Sequence, residues 1–260
     1  MRNFRTAGVC AIACAAATLL APARGASAEG WDWMLAPYGW GINPELDFYA
    51  NGNELINAEL DIGDILDKLD MVVQVHAEGR KDALGFFIDV SFLNLGDTIE
   101  VNGRPVIPDG TTVKTDTQLT MTEIGGFYRP SAAEYGFDIL AGARIISTDI
   151  DLDITFPQPG TSDVGSSGTM TDGFAGVRYS APFADKWFFI VRGDVGAGDS
   201  DLALNGVLTF GRNFGKAGNK SFMFGYRYLS IEIDDTTDGG IDTEMDLDIG
   251  GPQIGVAFAF

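Results

Sequence analysis

Phe222-Met223-Phe224-Gly225-Tyr226-Arg227-Tyr228-Leu229 is the stretch that decides the fold. Every second residue, Phe222, Phe224, Tyr226 and Tyr228, is aromatic, and Met223, Gly225 and Arg227 fall between them. A period of two is the mark of an extended strand, whose successive side chains point to opposite faces. One face is built for apolar surroundings. The other carries a charge among residues small enough to leave it room.

The same alternation recurs outward from this segment. In Val73–Arg80, Val73, Val75 and Ala77 oppose Gln74, His76, Glu78 and Arg80. In Leu84–Ser91, Phe86, Ile88 and Val90 oppose Phe87, Asp89 and Ser91; in Phe137–Ile145, Ile139, Ala141 and Ala143 oppose Asp138, Gly142 and Arg144. Trp187–Gly196 sets Trp187, Phe189, Val191 and Val195 against Phe188, Ile190, Arg192 and Asp194. Such segments number about ten, near 31–42, 71–80, 84–96, 115–129, 136–150, 169–181, 186–197, 203–213, 220–233 and 248–260. Each is at least as long as the roughly 9–11 residues a tilted strand needs to cross a bilayer.

Connections alternate in length. Lys81-Asp82-Ala83, Pro130–Tyr135, Phe183–Lys186 and Phe214–Lys220 are short; 43–70, 97–114, 151–168 and 234–247 are long and polar, and only 198–202 breaks the rule. Short turns at one end and long loops at the other are the arrangement of a barrel crossing a bacterial outer membrane, with the short turns and both termini periplasmic. Lysines 81, 186, 216 and 220 sit on the short turns, and acids crowd the long segments. A soluble barrel would share the period of two. Three features favour the membrane: the loop asymmetry, a girdle of Phe86, Tyr128, Tyr179, Trp187, Phe222 and Phe258 near the short-turn ends, and the final strand. There Pro252, Ile254, Val256, Phe258 and Phe260 alternate with Gly251, Gln253, Gly255, Ala257 and Ala259, and the chain ends on the aromatic.

The start of the chain reads as an export signal. Arg2 and Arg5 precede the apolar, alanine-rich run Thr6–Leu20, and Ala26-Ser27-Ala28 supplies a small-x-small cleavage site, so residues 1–28 are expected to be removed and a barrel domain to occupy 29–260. Both cysteines, Cys10 and Cys14, fall in that segment, which leaves the mature chain without a disulfide, thiolate metal site or cysteine nucleophile. Loss of Arg2, Arg5 and Arg24 takes the net charge from −20 to −23. A chain so acidic repels nucleic acid and attracts cations.

The closing strand resembles those of outer-membrane barrels, which implies the barrel-assembly machinery as a partner acting on Ile254, Val256, Phe258 and Phe260. Ala36-Pro37-Tyr38-Gly39-Trp40, the run Asp61–Asp70 and Gly225-Tyr226-Arg227-Tyr228-Leu229 together resemble an uncharacterised family of proteobacterial outer-membrane β-barrel proteins within the porin-like superfamily. That resemblance implies fold and location, and no activity.

The candidate site is the polar face: Glu78, Arg80, Asp89, Glu123, Arg129, Asp138, Arg144, Asp172, Arg178, Arg192, Asp194 and Arg227. Charges facing a barrel lumen must pair, so ion-pair ladders across strands are expected. They either fill the lumen or leave a narrow, cation-preferring pore; ten strands lie near the closed end of the range. His76, the one histidine, lies beside Glu78 and near Ser91, which raises a lipid-modifying hydrolase as an alternative, but no nucleophile motif surrounds Ser91. Asp234-Asp235-Thr236-Thr237-Asp238-Gly239 lacks the closing glutamate of a calcium loop, since Met245 stands there. Ile62, Ile65, Leu66 and Leu69 recur at helical spacing, which predicts a short helix in the first long loop, docked as a partial plug at the barrel mouth against Phe87, Phe174 and Ile146. The reading is therefore an all-β, antiparallel transmembrane barrel of about ten strands, non-enzymatic, without catalytic residues, cofactor or dedicated metal site. Its expected partners are outer-membrane lipid and lipopolysaccharide, with divalent cations drawn to the acidic loops. A surface adhesin or receptor using those loops is the other alternative.

Overall fold

The computed structural model describes residues 30–59, 69–101, 111–131, 133–155, 161–215, 218–236, 240 and 242–260. Among them the elements are β1 Asp32–Trp40, β2 Asn43–Ala50, β3 Asn53–Glu59, β4 Leu69–Lys81, β5 Leu84–Val101, β6 Thr111–Tyr128, β7 Phe137–Thr155, β8 Thr161–Ala184, β9 Trp187–Gly198, β10 Leu202–Phe214, β11 Lys220–Thr236 and β12 Asp242–Ala259. No helix occurs among the described residues.

Ten strands close a ring. β1 pairs with β4, each strand from β4 to β12 pairs antiparallel with the next, and β12 returns to β1. At the seam Phe260 and Trp33 exchange backbone hydrogen bonds of 3.0 Å each. With its ends joined, the sheet has no edge inside the membrane, where an unpaired backbone group would find no water.

The wall continues above β1 by a device the loop assignment for 43–70 does not contain. β12 pairs with β1 only over its last part; its first part, Thr243–Gly250, pairs with β2, and β2 turns back into β3. The turn is Asn51-Gly52, with φ of 47° and 73°. Two-residue hairpin loops that match the strand twist need positive φ at both central positions, which Asn and Gly adopt most readily. The expected helix lies outside the described residues for Asp61 to Lys68, whereas Leu69 and Asp70 begin β4.

Two opposed patterns meet along each long strand. Near the short turns the outward side chains are apolar and exposed: Leu84, Phe86 and Ile88 on β5, Ile124 and Tyr128 on β6, Ile139 on β7, and Phe222, Phe224, Tyr226 and Tyr228 on β11. A belt of that extent faces hydrocarbon. Its lower margin is knitted by rings, with Trp31, Trp33 and Phe86 at 5.5 to 5.7 Å and Phe183 edge-on to Phe210 at 6.2 Å. Farther up the same strands the pattern inverts. On β11, Glu232 and Asp234 are exposed while Leu229 and Ile231 on the inward parity are fully buried. On β7, Asp149, Asp151 and Asp153 face outward and Ile146 inward. Above the bilayer, water lies outside the wall, so the apolar residues move to its inner surface. For this reason the strands outrun the ranges expected for them, β7 to Thr155 and β8 from Thr161. The polar segments 151–168 and 234–247 are in large part wall rather than loop.

Glycines on the inner face make room for rings from neighbouring strands. A Cβ on Gly85 would lie 2.1 Å from the Phe127 ring, and one on Gly211 would lie 2.1 Å from that of Phe188. Such pairs let aromatic bulk lie flat across the lumen.

Candidate functional site

The lumen holds two stacked layers. The lower one is ionic. Arg129 grips Asp138 through Nε and Nη2, the latter at 2.9 Å, and Asp138 also accepts Arg178 Nε at 2.7 Å. Arg178 reaches across the lumen to Glu78, Nη1 to Oε2 at 2.6 Å. His76 stands between two carboxylates, with Nε2 3.6 Å from Glu78 and Nδ1 3.0 Å from Asp89. Asp89 accepts the Tyr38 hydroxyl at 2.7 Å and lies 3.7 Å from Arg227.

Glu123 is the hub of the upper part of this layer. It accepts Arg227 Nη2 at 2.6 Å, Arg144 Nε at 2.9 Å and Arg192 Nη1 at 2.9 Å. Arg144 and Arg192 also converge on Asp194, at 2.7 and 2.8 Å. Asn205 donates to Asp194 at 2.7 Å and accepts Arg227 Nε at 3.0 Å, closing a loop of contacts. Among the described residues the network joins the arginines 129, 144, 178, 192 and 227 to the carboxylates Glu78, Asp89, Glu123, Asp138 and Asp194, so the signs balance. Balance matters here because a buried charge left without a partner is strongly destabilising; within it, Arg144 Nη1 and Arg192 Nη2 are buried without a hydrogen-bond acceptor.

Rings fill the remaining space. Arg178 lies 4.6 Å over Phe127, Arg192 5.2 Å over Phe87, Arg144 5.3 Å over Phe174 and Arg227 4.8 Å over Trp40. Guanidinium planes desolvated against aromatic faces are favourable by up to about 2 kcal/mol. A cavity of about 130 Å³ remains, bounded by Met34, Tyr38, His76, Thr209, Met223 and Gln253 among others.

The second layer, on the long-loop side, is apolar. Trp40, Ile42, Leu93, Met121, Ile146, Ala203, Leu229, Ile231 and Ile249 form one buried cluster, with Leu95, Leu119, Ile233 and Leu247 packed on it. A hydrated ion would have to shed most of its water to cross this layer, where the described polar groups without a partner are the Trp40 indole N–H and the Gln74 amide nitrogen.

Of the twelve charged residues expected in the lumen, ten meet in the network. Arg80 sits at the short-turn rim, paired with the exposed Asp32 at 3.1 Å and donating to the Ala133 carbonyl. Asp172 accepts the backbone N–H and hydroxyl of Ser200 at 2.9 and 2.8 Å, and so anchors the β9–β10 turn. Tyr38 and Asn205 are members that the charge pattern did not single out. The plug positions expected on the wall are occupied: Phe87 and Phe174 cluster with Phe127 and Leu140, and Ile146 belongs to the apolar layer. Ile62, Ile65 and Leu66 lie outside the described residues, as does the side chain of Leu69.

Both ring nitrogens of His76 face carboxylates, and Ser91 is buried with its hydroxyl 3.1 Å from that of Tyr38. Among the described residues no group of three or more His, Cys, Asp or Glu is placed to hold a metal ion. On the outer wall above the belt, Asp246 lies beside Asp47 and Glu232 on its neighbouring strands. Partial burial, then the nearby Asp248, Asp47 and Asp234, push its carboxyl above the usual range. Of the closing-strand residues, Ile254 and Phe260 are exposed on the belt, with Val256 and Phe258 half-buried on the same face.

No protein-family model matches the sequence, and no curated protein matches it. Among solved structures the chain is similar to the outer membrane protease OmpT from Escherichia coli, at 9% identity over 91% of this chain and 99% of that one, with a TM-score of 0.49. It is also similar to Ail, the attachment invasion locus protein of Yersinia pestis, at 9% identity over 89% and 99% of the two chains, TM-score 0.32. A third is Neisserial surface protein A, at 14% identity over 87% and 99%, TM-score 0.27.

Proposed function

We propose that the chain is a non-enzymatic barrel of a Gram-negative outer membrane, delivered by removal of residues 1–28, whose lumen is closed. The observation that carries this reading is the pair of layers across the lumen: an ion-pair network of five arginines and five carboxylates below and a cluster of nine buried apolar residues above it. Of the two states the sequence allows for the lumen, filled and structural or open as a narrow cation pore, the layers favour the first. A pore needs a continuous wet path, and the apolar layer interrupts it. The engagement of both His76 nitrogens by carboxylates favours a positioning role in the network over catalysis.

The test is conductance. The purified barrel, reconstituted in a planar bilayer, is expected to give no steady single-channel steps in potassium chloride. Reproducible steps with cation selectivity would replace the structural reading with the pore reading.

A further inference from the structure

Above the membrane the barrel wall is interrupted. β9 ends at Gly198 and β10 begins at Leu202, while β8 on one side starts at Thr161 and β11 on the other runs to Thr236. β8 pairs with β9 only from Asp172 onward; Thr161–Thr171 is paired with β7 alone. The result is a notch two strands wide, roughly 14 Å from β8 to β11, beside a β8 wall rising roughly 30 Å.

The floor of the notch shows which backbone groups face it. Thr171 donates its N–H to Asp199 Oδ2 at 2.7 Å, and its carbonyl accepts Asp199 N–H at 3.1 Å. The alternation of an antiparallel strand turns the N–H and C=O of Thr169, Ser167, Gly165 and Asp163 the same way. No strand of the described residues lies alongside them. Exposed edges are ordinarily guarded by lysine, proline or a bulge. Thr161–Met170 contains neither residue, and its register with β7 is unbroken. One strand away, Asp149, Asp151 and Asp153 are exposed, with Lys114 on β6 the cation opposite Asp153.

We propose that the β8 edge, Thr161–Met170, is a docking strand for an extended basic segment of a partner protein, which adds to the sheet by backbone pairing while its cations meet the aspartates of β7. In strand addition the main chain supplies affinity and the flanking side chains supply selectivity. A second copy fits less well. Two barrels in one membrane are related by an axis along the membrane normal, which lays β8 parallel to β8. This inference goes beyond the closed-barrel reading and holds whether or not the lumen conducts.

The test uses the full barrel in lipid nanodiscs and a labelled, end-capped decapeptide of alternating lysine and valine. Its twin has alternate amides N-methylated, keeping the charge and removing the donors of one edge. The first peptide is expected to bind at least tenfold more tightly than its twin and to slow hydrogen exchange of amides in 161–171. Ser167→Pro removes an N–H that faces the notch and leaves the β7 ladder intact, so it should weaken binding at least tenfold without changing the barrel's heat-induced gel shift. Equal binding of the two peptides, unaltered exchange in 161–171, no binding at all, or dimerisation through this edge without peptide would each overturn the proposal.

Discussion

Glu123→Gln removes the charge on which the upper network turns. Glu123 is fully buried and accepts three guanidinium groups, from Arg227 at 2.6 Å and from Arg144 and Arg192 at 2.9 Å. Arg144 and Arg192 keep Asp194, but Arg227 is left with Asn205 and a longer contact to Asp89 at 3.7 Å. The variant therefore buries one uncompensated positive charge. Breaking a buried pair from one side costs about 3–5 kcal/mol, and with three partners disturbed the upper part of that range applies. The assay is reversible urea unfolding of the barrel in lipid vesicles, followed by tryptophan fluorescence. The double variant Glu123→Gln with Arg227→Met restores the balance of charges, so its loss should fall short of the sum of the two single losses by about 1–3 kcal/mol. A single-variant loss below about 1 kcal/mol, the level of an exposed pair, would refute the reasoning, and so would strict additivity.

Leu229→Ala opens a cavity in the apolar layer, where Leu229 has no exposed surface; the same unfolding assay should register a loss of about 2–5 kcal/mol. Asp246→Asn should tighten the hairpin above the membrane near neutral pH, read as slower hydrogen exchange in β2 and β12. The folded carboxyl is held above its ordinary range by partial burial and by Asp248, Asp47 and Asp234. The folded state therefore binds the proton more firmly than the unfolded state, and stability is lost as pH rises through that window. The advantage of asparagine should accordingly vanish as pH falls below the ordinary carboxylate range.

The strands were legible where they face lipid, because apolar side chains alternate there with charges and glycines, as in Phe222–Tyr228. The same strands have the polar composition of loops where they leave the membrane. In Asp149–Ile154 the acids alternate with isoleucine and leucine just as regularly, but the apolar parity has moved to the inner face. A reading that follows one apolar face ends at that inversion. The β2–β3 hairpin does carry a local signal, Asn51-Gly52 between alternating segments, but the overall polarity of 43–70 masks it. Lumen charges were legible as a set, since a charged residue in mid-strand opposite the apolar face has nowhere else to point. Their partners were not: Glu78 and Arg178 are a hundred positions apart, and only ring closure brings them to 2.6 Å. Tyr38 was hidden because a tyrosine fits either face until the register of β1 is known.

The central claim is that the outward faces of β11 and its neighbours cross a bilayer below Ser230, with the short turns periplasmic. Single cysteines, each introduced with Cys10 and Cys14 replaced by alanine, test it directly, with a membrane-impermeant maleimide applied to intact cells. Glu232→Cys and Asp149→Cys should be labelled at once, Phe224→Cys should resist, and Asp185→Cys on the β8–β9 turn should react only after the outer membrane is breached. Labelling of Phe224→Cys or Asp185→Cys in intact cells, with Glu232→Cys protected, would contradict the account.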